Sequence, residues 1–163
     1  MERLQQISRR GVVKGAVWST PVIAAAIATP ASAASIVNVG DFYINGTCGV
    51  TGLLFPGFVL TAGSTALPAG TTILITTGGV NIGLLSLTPS SVATVTLLAN
   101  NNQIVTLNSP LAAGASLQMR TTANVGVGST VTATVTLPTG YVAGSGAKTI
   151  GQFKVTLLSC SAS

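Results

Sequence analysis

The stretch TVTATVTL, residues 130–137, alternates polar and apolar side chains without a break. In an extended strand successive side chains point to opposite faces, so Val131, Ala133, Val135 and Leu137 share one face. The four threonines share the other face. Valine and threonine both favour strands because their branched side chains fit a pleated surface. The stretch predicts a strand with one face in the core and the other in solvent.

The same alternation recurs along the chain. QFKVTL, residues 152–157, predicts a strand whose inward side chains are Phe153, Val155 and Leu157. Other predicted strands are 117–121 with Leu117, Met119 and Thr121 on one face, one after Gly70 with Ile73 and Ile75 inward, and ranges near 36–44, 57–62, 83–87, 92–98 and 103–108. No segment after residue 33 shows the 3.6-residue period of a helix.

Turn-forming residues separate the predicted strands. They include Pro56-Gly57, Gly78-Gly79, Thr88-Pro89, Asn100 to Asn102, Ser109-Pro110 and Pro138 to Gly140. Many short strands at close spacing favour an antiparallel β-sandwich or barrel. The sequence therefore predicts an all-β domain.

Two segments of the chain resemble each other and a known type of surface domain. LPAGTTILITT, residues 67–77, matches LAAGASLQMRT, residues 111–121, at an offset of 44 residues. A repeat of paired strands and convergence on one turn chemistry both explain the match. The L-x-A-G-x-x pattern resembles segments of bacterial immunoglobulin-like surface domains, where it marks the turn entering a strand. The resemblance implies an antiparallel immunoglobulin-like β-sandwich.

The first 33 residues have the pattern of a cleaved export signal. A basic region is followed by an apolar run, residues 17–28, which Pro21 interrupts. The run is shorter than the roughly 20 residues of a membrane-spanning helix. Ala31-Ser32-Ala33 supplies the small residues that signal peptidase requires, so we expect cleavage after Ala33. The expected organisation is a signal peptide, 1–33, and a single β-sandwich domain, 34–163.

The basic region carries a more specific motif. SRRGVVK, residues 8–14, resembles the twin-arginine pattern S-R-R-x-F-L-K, with Val12 and Val13 at the Phe and Leu positions. The resemblance implies that the export machinery reads Arg9, Arg10 and Lys14, and that the leader is of high-GC Gram-positive (actinobacterial) style. An ordinary secretory signal with a chance arginine pair is the alternative. Either route predicts a secreted or cell-surface protein.

The charge of the chain lies mostly in this leader. Four of the seven basic residues and one of the two acidic residues precede residue 34, so the net charge falls from +5 to +2 after cleavage. The sequence isoelectric point of about 9.9 is therefore no sign of a nucleic-acid partner. No apolar run in the remaining 130 residues is long enough to span a membrane.

The only two cysteines, Cys48 and Cys160, lie near the two ends of the predicted domain. An even number of cysteines in an exported protein predicts a disulfide. It would close a loop of about 110 residues, which corresponds to about 4–5 kcal/mol in the chain-entropy model. Two buried free thiols are the alternative. Since the chain has no histidine, no metal site is expected.

Catalytic residue sets are missing from the predicted domain. It has no histidine, no glutamate and one aspartate, Asp41, so neither a nucleophile–base pair nor a carboxylate pair can form. We expect Asp41 to be a strand-end or turn residue. Three separated cations, Arg120, Lys148 and Lys154, do not form a nucleic-acid site. We expect no enzyme activity, cofactor or nucleic-acid partner.

Two features remain as candidate interaction sites. Phe55-Pro56-Gly57-Phe58 could be an apolar loop that docks a partner or envelope lipid, or one or both phenylalanines could pack under the turn. The threonine row of residues 130–136 could bind ordered water or ice, serve as an assembly face, or be an ordinary solvent face.

We expect a non-enzymatic secreted or cell-surface structural or adhesion module, whose partner is an unknown protein or envelope component. The alternatives are an envelope lipid- or carbohydrate-binding module that uses the loop from Phe55 to Phe58, and a self-assembling surface fibre or coat subunit.

Overall fold

The computed structural model describes residues 35–49 and 55–163, and the regular structure of this part consists of strands and one 3₁₀ turn. The predicted signal peptide lies outside the described residues. The strands are β1 (Val37–Asn38), β2 (Tyr43–Thr47), β3 (Gly57–Thr61), β4 (Thr72–Thr76), β5 (Ser86–Thr88), β6 (Ala93–Leu97), β7 (Gln103–Leu107), β8 (Ser116–Arg120), β9 (Thr130–Thr136), β10 (Tyr141–Val142), β11 (Ile150–Val155) and β12 (Cys160–Ala162).

Two antiparallel sheets contain most of these strands. The six-stranded sheet has the order β12-β11-β9-β4-β7-β6, and the four-stranded sheet has the order β2-β3-β8-β5. Strands β1 and β10 form a short parallel pair beside them. The predicted all-β, antiparallel class is confirmed, and the arrangement is that of a β-sandwich.

The core lies between the inward faces of the two sheets. Val131, Ala133 and Val135 of β9 are buried, as the alternation predicts, and so are Ile73 and Ile75 of β4. Phe58 of β3 and Phe153 of β11 meet across the core, with their ring centroids 5.1 Å apart. Apolar side chains from both sheets therefore form one continuous core, which is the main source of stability in a domain of this size. The inward predictions for Leu117, Met119, Thr121 and Val155 are also confirmed.

The strand predicted near 36–44 is wrong in its extent. Only Val37 and Asn38 are paired there, and β2 begins at Tyr43. Gly40 has a φ of +72°, a left-handed conformation that interrupts extended chain. The side chain of Asn38 accepts a hydrogen bond from the Gly40 N–H at 2.8 Å, which turns the chain at this point.

The strand predicted near 83–87 is also displaced, because β5 covers only Ser86–Thr88. Gly83 has a φ of +69°, which is incompatible with a strand. The inward prediction for Leu157 is wrong as well. Strand β11 ends at Val155, the Thr156 N–H donates to the Ser159 carbonyl at 2.7 Å, and Leu157 lies on the resulting turn with 81 % of its surface exposed.

One side of the sandwich is closed. Along the outer edge of β2, the Ile44 N–H donates to the Lys148 carbonyl at 3.0 Å and the Gly46 N–H to the Ser163 carbonyl at 2.9 Å. A side chain on Gly46 would collide with the backbone of Gln152, so only glycine permits this approach. Backbone contacts thus join the two sheets along this side.

On the opposite side β5 and β6 are the outermost strands of the two sheets, and no backbone hydrogen bond joins these two strands. A buried glutamine connects the sheets at this side. The Gln103 side chain accepts a hydrogen bond from the Leu85 N–H at 3.0 Å and donates one to the Gly83 carbonyl at 2.6 Å. It satisfies backbone groups of the segment that leads into β5.

No helix among residues 35–49 and 55–163 has the length and apolar content needed to cross a bilayer.

Candidate functional site

The predicted site residues fall into three groups: those of the signal peptide, the two cysteines, and the two phenylalanines of the candidate interaction loop. Arg9, Arg10 and Lys14, with the cleavage residues Ala31 and Ala33, lie outside the described residues, so they remain predictions. Cys48 and Cys160 form the predicted disulfide, with their Cα atoms 5.6 Å apart. Since Cys48 follows β2 and Cys160 begins β12, the bond fastens the closed side of the sandwich.

The two phenylalanines of the candidate interaction loop, Phe55 and Phe58, differ in how far they are exposed to solvent. Phe58 is 1 % exposed and belongs to the core, which agrees with the alternative that one phenylalanine packs under the turn. Phe55 is 44 % exposed and has a φ of +56°. That left-handed conformation is costly for a bulky residue and is one in which glycine is the usual occupant. Only Phe55 is therefore available to a partner.

A threonine face covers the outside of the six-stranded sheet. Its residues are Thr72 and Thr76 of β4, Thr94 and Thr96 of β6, Thr106 of β7, and Thr130, Thr132, Thr134 and Thr136 of β9. Pairing in the sheet aligns Thr136, Thr72, Thr106 and Thr94 in one row across four strands. Neighbouring strands are about 4.8 Å apart, so the row carries hydroxyl groups at that spacing.

The next row of the same face is more apolar. It contains Ile150, Thr134, Leu74, Ile104 and Thr96 in that order across the sheet. Leu74 is 40 % exposed and Ile150 is 50 % exposed. Lys154, opposite Thr130, contributes a charge at the edge of the face. The threonine face thus combines hydroxyl and methyl groups over a broad area with little charge.

A polar cleft lies at the end of the sandwich where β2 begins. It has a volume of about 630 Å³, and its side-chain lining consists of Asn38, Asp41, Tyr43, Ser64, Thr65 and Ser145. Asp41 and Tyr43 point outward on either side of buried Phe42. The Asp41 carboxylate accepts a hydrogen bond from the Gly146 N–H at 2.9 Å. This bond fixes the carboxylate, while the Tyr43 ring is 44 % exposed.

Glycines shape this polar cleft. A side chain on Gly63 would collide with the Asp41 carbonyl, and one on Gly144 would collide with the Asp41 carboxylate. Close approach to Asp41 from two distant segments therefore requires glycine. No sequence motif predicts the polar cleft, because its residues come from three segments that are distant in the sequence and meet only in the folded domain.

The ionisable groups do not form a catalytic arrangement in the part of the chain that the structure covers. Asp41 lies in the polar cleft, Lys148 donates to the Asn45 side chain at 2.7 Å, and Arg120 lies on the outer face of β8. Within the described ranges there is no group of three or more His, Cys, Asp or Glu side chains that could hold a metal ion. The polar cleft offers hydrogen-bond acceptors, donors and one ring.

Comparisons with known proteins add no relative. No family model matches the chain, and neither a curated protein nor a solved structure matches it.

Proposed function

We propose that the chain is an exported, non-enzymatic module that acts as a structural or adhesion domain at the cell surface or in the medium. Residues 1–33 would be a twin-arginine signal peptide, and the remainder an immunoglobulin-like β-sandwich. Two antiparallel sheets packed over one core are consistent with that class. A domain disulfide is typical of proteins that leave the reducing cytosol.

The observation that carries the proposal is the threonine face. Nine threonines, interspersed with Leu74, Ile104 and Ile150, give an outer sheet surface that can contact another surface through both methyl and hydroxyl groups. Low charge reduces the desolvation cost of such a contact. A wide, rigid sheet face also suits contact with an extended object better than it suits enclosure of a small substrate.

The first test is the intact mass of the native protein from cytosol, cell wall and medium. We expect a species that starts at Ala34, is lighter by two hydrogens than the reduced chain, and is found in the wall or the medium. A full-length, reduced protein confined to the cytosol would contradict export.

The second test is sedimentation of the processed protein with isolated cell-wall fragments. We expect Thr134→Lys, on the threonine face, to reduce the bound fraction at least several-fold. Gln118→Lys, on the outer face of the other sheet and away from the polar cleft, is the control and should bind as the unmodified protein does. Equal binding by both variants would exclude the threonine face as the contact surface.

The polar cleft favours a second candidate function, recognition of envelope carbohydrate. A carboxylate and an amide, Asp41 and Asn38, can bond sugar hydroxyl groups, and the exposed Tyr43 ring can stack on the apolar side of a sugar. Phe55 and Phe58 are not part of this cleft, so the carbohydrate hypothesis moves from the phenylalanine loop to the start of β2.

The test compares two exposed tyrosines in a calorimetric titration with soluble cell-wall oligosaccharides. Tyr43→Leu removes the ring from the polar cleft and should weaken binding at least tenfold. Tyr141→Leu, at a tyrosine that is 38 % exposed but outside the cleft, should change affinity less than twofold. Binding that both variants retain would rule out the cleft.

A further inference from the structure

Strand β6 is the outermost strand of the six-stranded sheet and has a neighbour, β7, on one side only. The Val92 carbonyl accepts from the Asn108 N–H at 2.8 Å, and the Leu98 N–H donates to the Asn102 carbonyl at 2.7 Å. In an antiparallel pair, hydrogen-bonded and non-bonded positions alternate. Because Val92 and Leu98 are at bonded positions, the backbone N–H and C=O groups of Thr94 and Thr96 also bond to β7.

The other three residues of β6, Ala93, Val95 and Leu97, direct their backbone N–H and C=O groups away from β7. No hydrogen bond to these outward groups occurs among the backbone pairs of the described residues. They form a free edge, with three donors and three acceptors in a straight row.

Within the described residues, β6 shows no charged side chain, proline or bulge that would hinder pairing along this edge. Natural edge strands are commonly blocked by charged side chains, proline or a bulge. Strand β6 reads ATVTL, and its pairing with β7 is regular over all five residues. Leu97 is 61 % exposed, and Val95 is partly exposed, on the face that continues from the core. Strand β5, the outermost strand of the second sheet on the same side, has only three residues.

The sequence of β6 is complementary to itself in the antiparallel direction. With Val95 of one copy opposite Val95 of another, Ala93 lies opposite Leu97, and Thr94 opposite Thr96. The outward groups then fall in hydrogen-bonded positions, so the pair can form six backbone hydrogen bonds around a two-fold axis. No like charges face each other, because the strand has no charge. A small residue is placed opposite each exposed leucine.

We propose that β6 pairs with β6 of a second copy of this chain, which joins two six-stranded sheets into one twelve-stranded sheet. The two-fold axis is perpendicular to the sheet, so both threonine faces lie on the same side. The contact uses up the edge of each copy, and assembly through it stops at the dimer.

Sedimentation velocity of the processed, oxidised protein over a concentration series up to about 1 mM tests the association. We expect a monomer–dimer equilibrium without larger species. A protein that stays monomeric over this range, or that forms filaments, would overturn the proposal.

Amide hydrogen exchange locates the contact. The amides of Ala93, Val95 and Leu97 should gain protection as the protein concentration rises, whereas those of Thr94 and Thr96 should be protected at every concentration. Concentration-dependent protection elsewhere, without these three amides, would also overturn it.

Two variants separate pairing from folding. Val95→Pro removes an outward N–H and spares the bonds to β7, so it should leave the domain folded and weaken dimerisation at least tenfold. Leu97→Lys adds a charge at the edge without touching the backbone, and it should weaken dimerisation similarly even if the proline variant does not fold. Leu157→Lys, an exposed leucine away from β6, is the control. Unchanged dimerisation in Leu97→Lys would contradict the edge contact.

Discussion

Gln103 shows how a polar side chain can take part in the core of the domain. It is the first residue of β7 and precedes the apolar residues of that strand. In the structure it is 1 % exposed and bonds to both Gly83 and Leu85. The sequence does not reveal these partners, because they are backbone groups of a segment about 20 residues away.

Gln103→Leu tests how much those two hydrogen bonds contribute to the stability of the domain. The leucine keeps a similar volume but leaves the Leu85 N–H and the Gly83 carbonyl without partners, so we expect a loss of about 1–3 kcal/mol in the free energy of unfolding. Urea denaturation measures it. Gln118→Leu, on an exposed outer position of β8, is the control and should change stability by less than about 0.5 kcal/mol. Equal effects would mean that the buried bonds contribute nothing.

Phe58 and Phe55 give a second comparison of single residues. Phe58→Ala removes a ring that contacts Phe153 in the core, and we expect a loss of about 3–5 kcal/mol. Phe55→Gly removes a half-exposed ring and relieves the left-handed φ, so thermal unfolding should show an unchanged or slightly raised midpoint. A large loss in Phe55→Gly would show that this ring supports the fold.

Among the elements, most strands lie where the sequence predicts them. Residues 130–137 and 117–121 correspond to β9 and β8, since alternation directly reflects which face meets the core. The predictions near 57–62, 92–98 and 103–108 match β3, β6 and β7 equally well, whereas β11 begins and ends two residues before the predicted 152–157. The prediction failed at 36–44 and 83–87, where Gly40 and Gly83 adopt left-handed conformations inside apolar sequence. Whether a glycine continues a strand or breaks it depends on its neighbours in space.

The candidate sites were less predictable than the strands. The threonine row of β9 was visible in the sequence, but its extension across β4, β7 and β6 depends on register, which alternation alone does not give. The polar cleft was not predicted, because contact between the Asp41, Gly63 and Gly144 segments is a tertiary property.

The turn between β11 and β12 provides a test at the level of one element. Leu157 and Leu158 are 81 % and 93 % exposed, so replacing both by serine should change the free energy of unfolding by less than about 0.5 kcal/mol. Leu67→Ala, at a fully buried leucine, should cost about 2–5 kcal/mol in the same denaturation series. A substantial loss from the serine pair would show that the turn packs against other residues in solution.

For the whole molecule, the disulfide is the covalent link between distant parts of the sequence. It joins residues 112 positions apart in the sequence and fastens β2 to β12. The double variant Cys48→Ala, Cys160→Ala should lose about 2–5 kcal/mol of stability, because the unfolded chain regains the freedom that the bond removes. Urea denaturation of the oxidised protein, the reduced protein and the variant measures this. The last two should agree, and a variant as stable as the oxidised protein would contradict the expectation.

The position of the same bond has a mechanical consequence. If tension is applied at Ser35 and Ser163, the force passes through the disulfide from Cys48 directly to Cys160. The chain between these two cysteines, which are 112 positions apart, is therefore not stretched. At about 3.3–3.6 Å per residue, some 370–400 Å of contour length is withheld from stretching. Only the short segments outside the bond can lengthen under load. As part of a tether, the oxidised domain would behave as a stiff link, and its reduction would turn it into an extensible one.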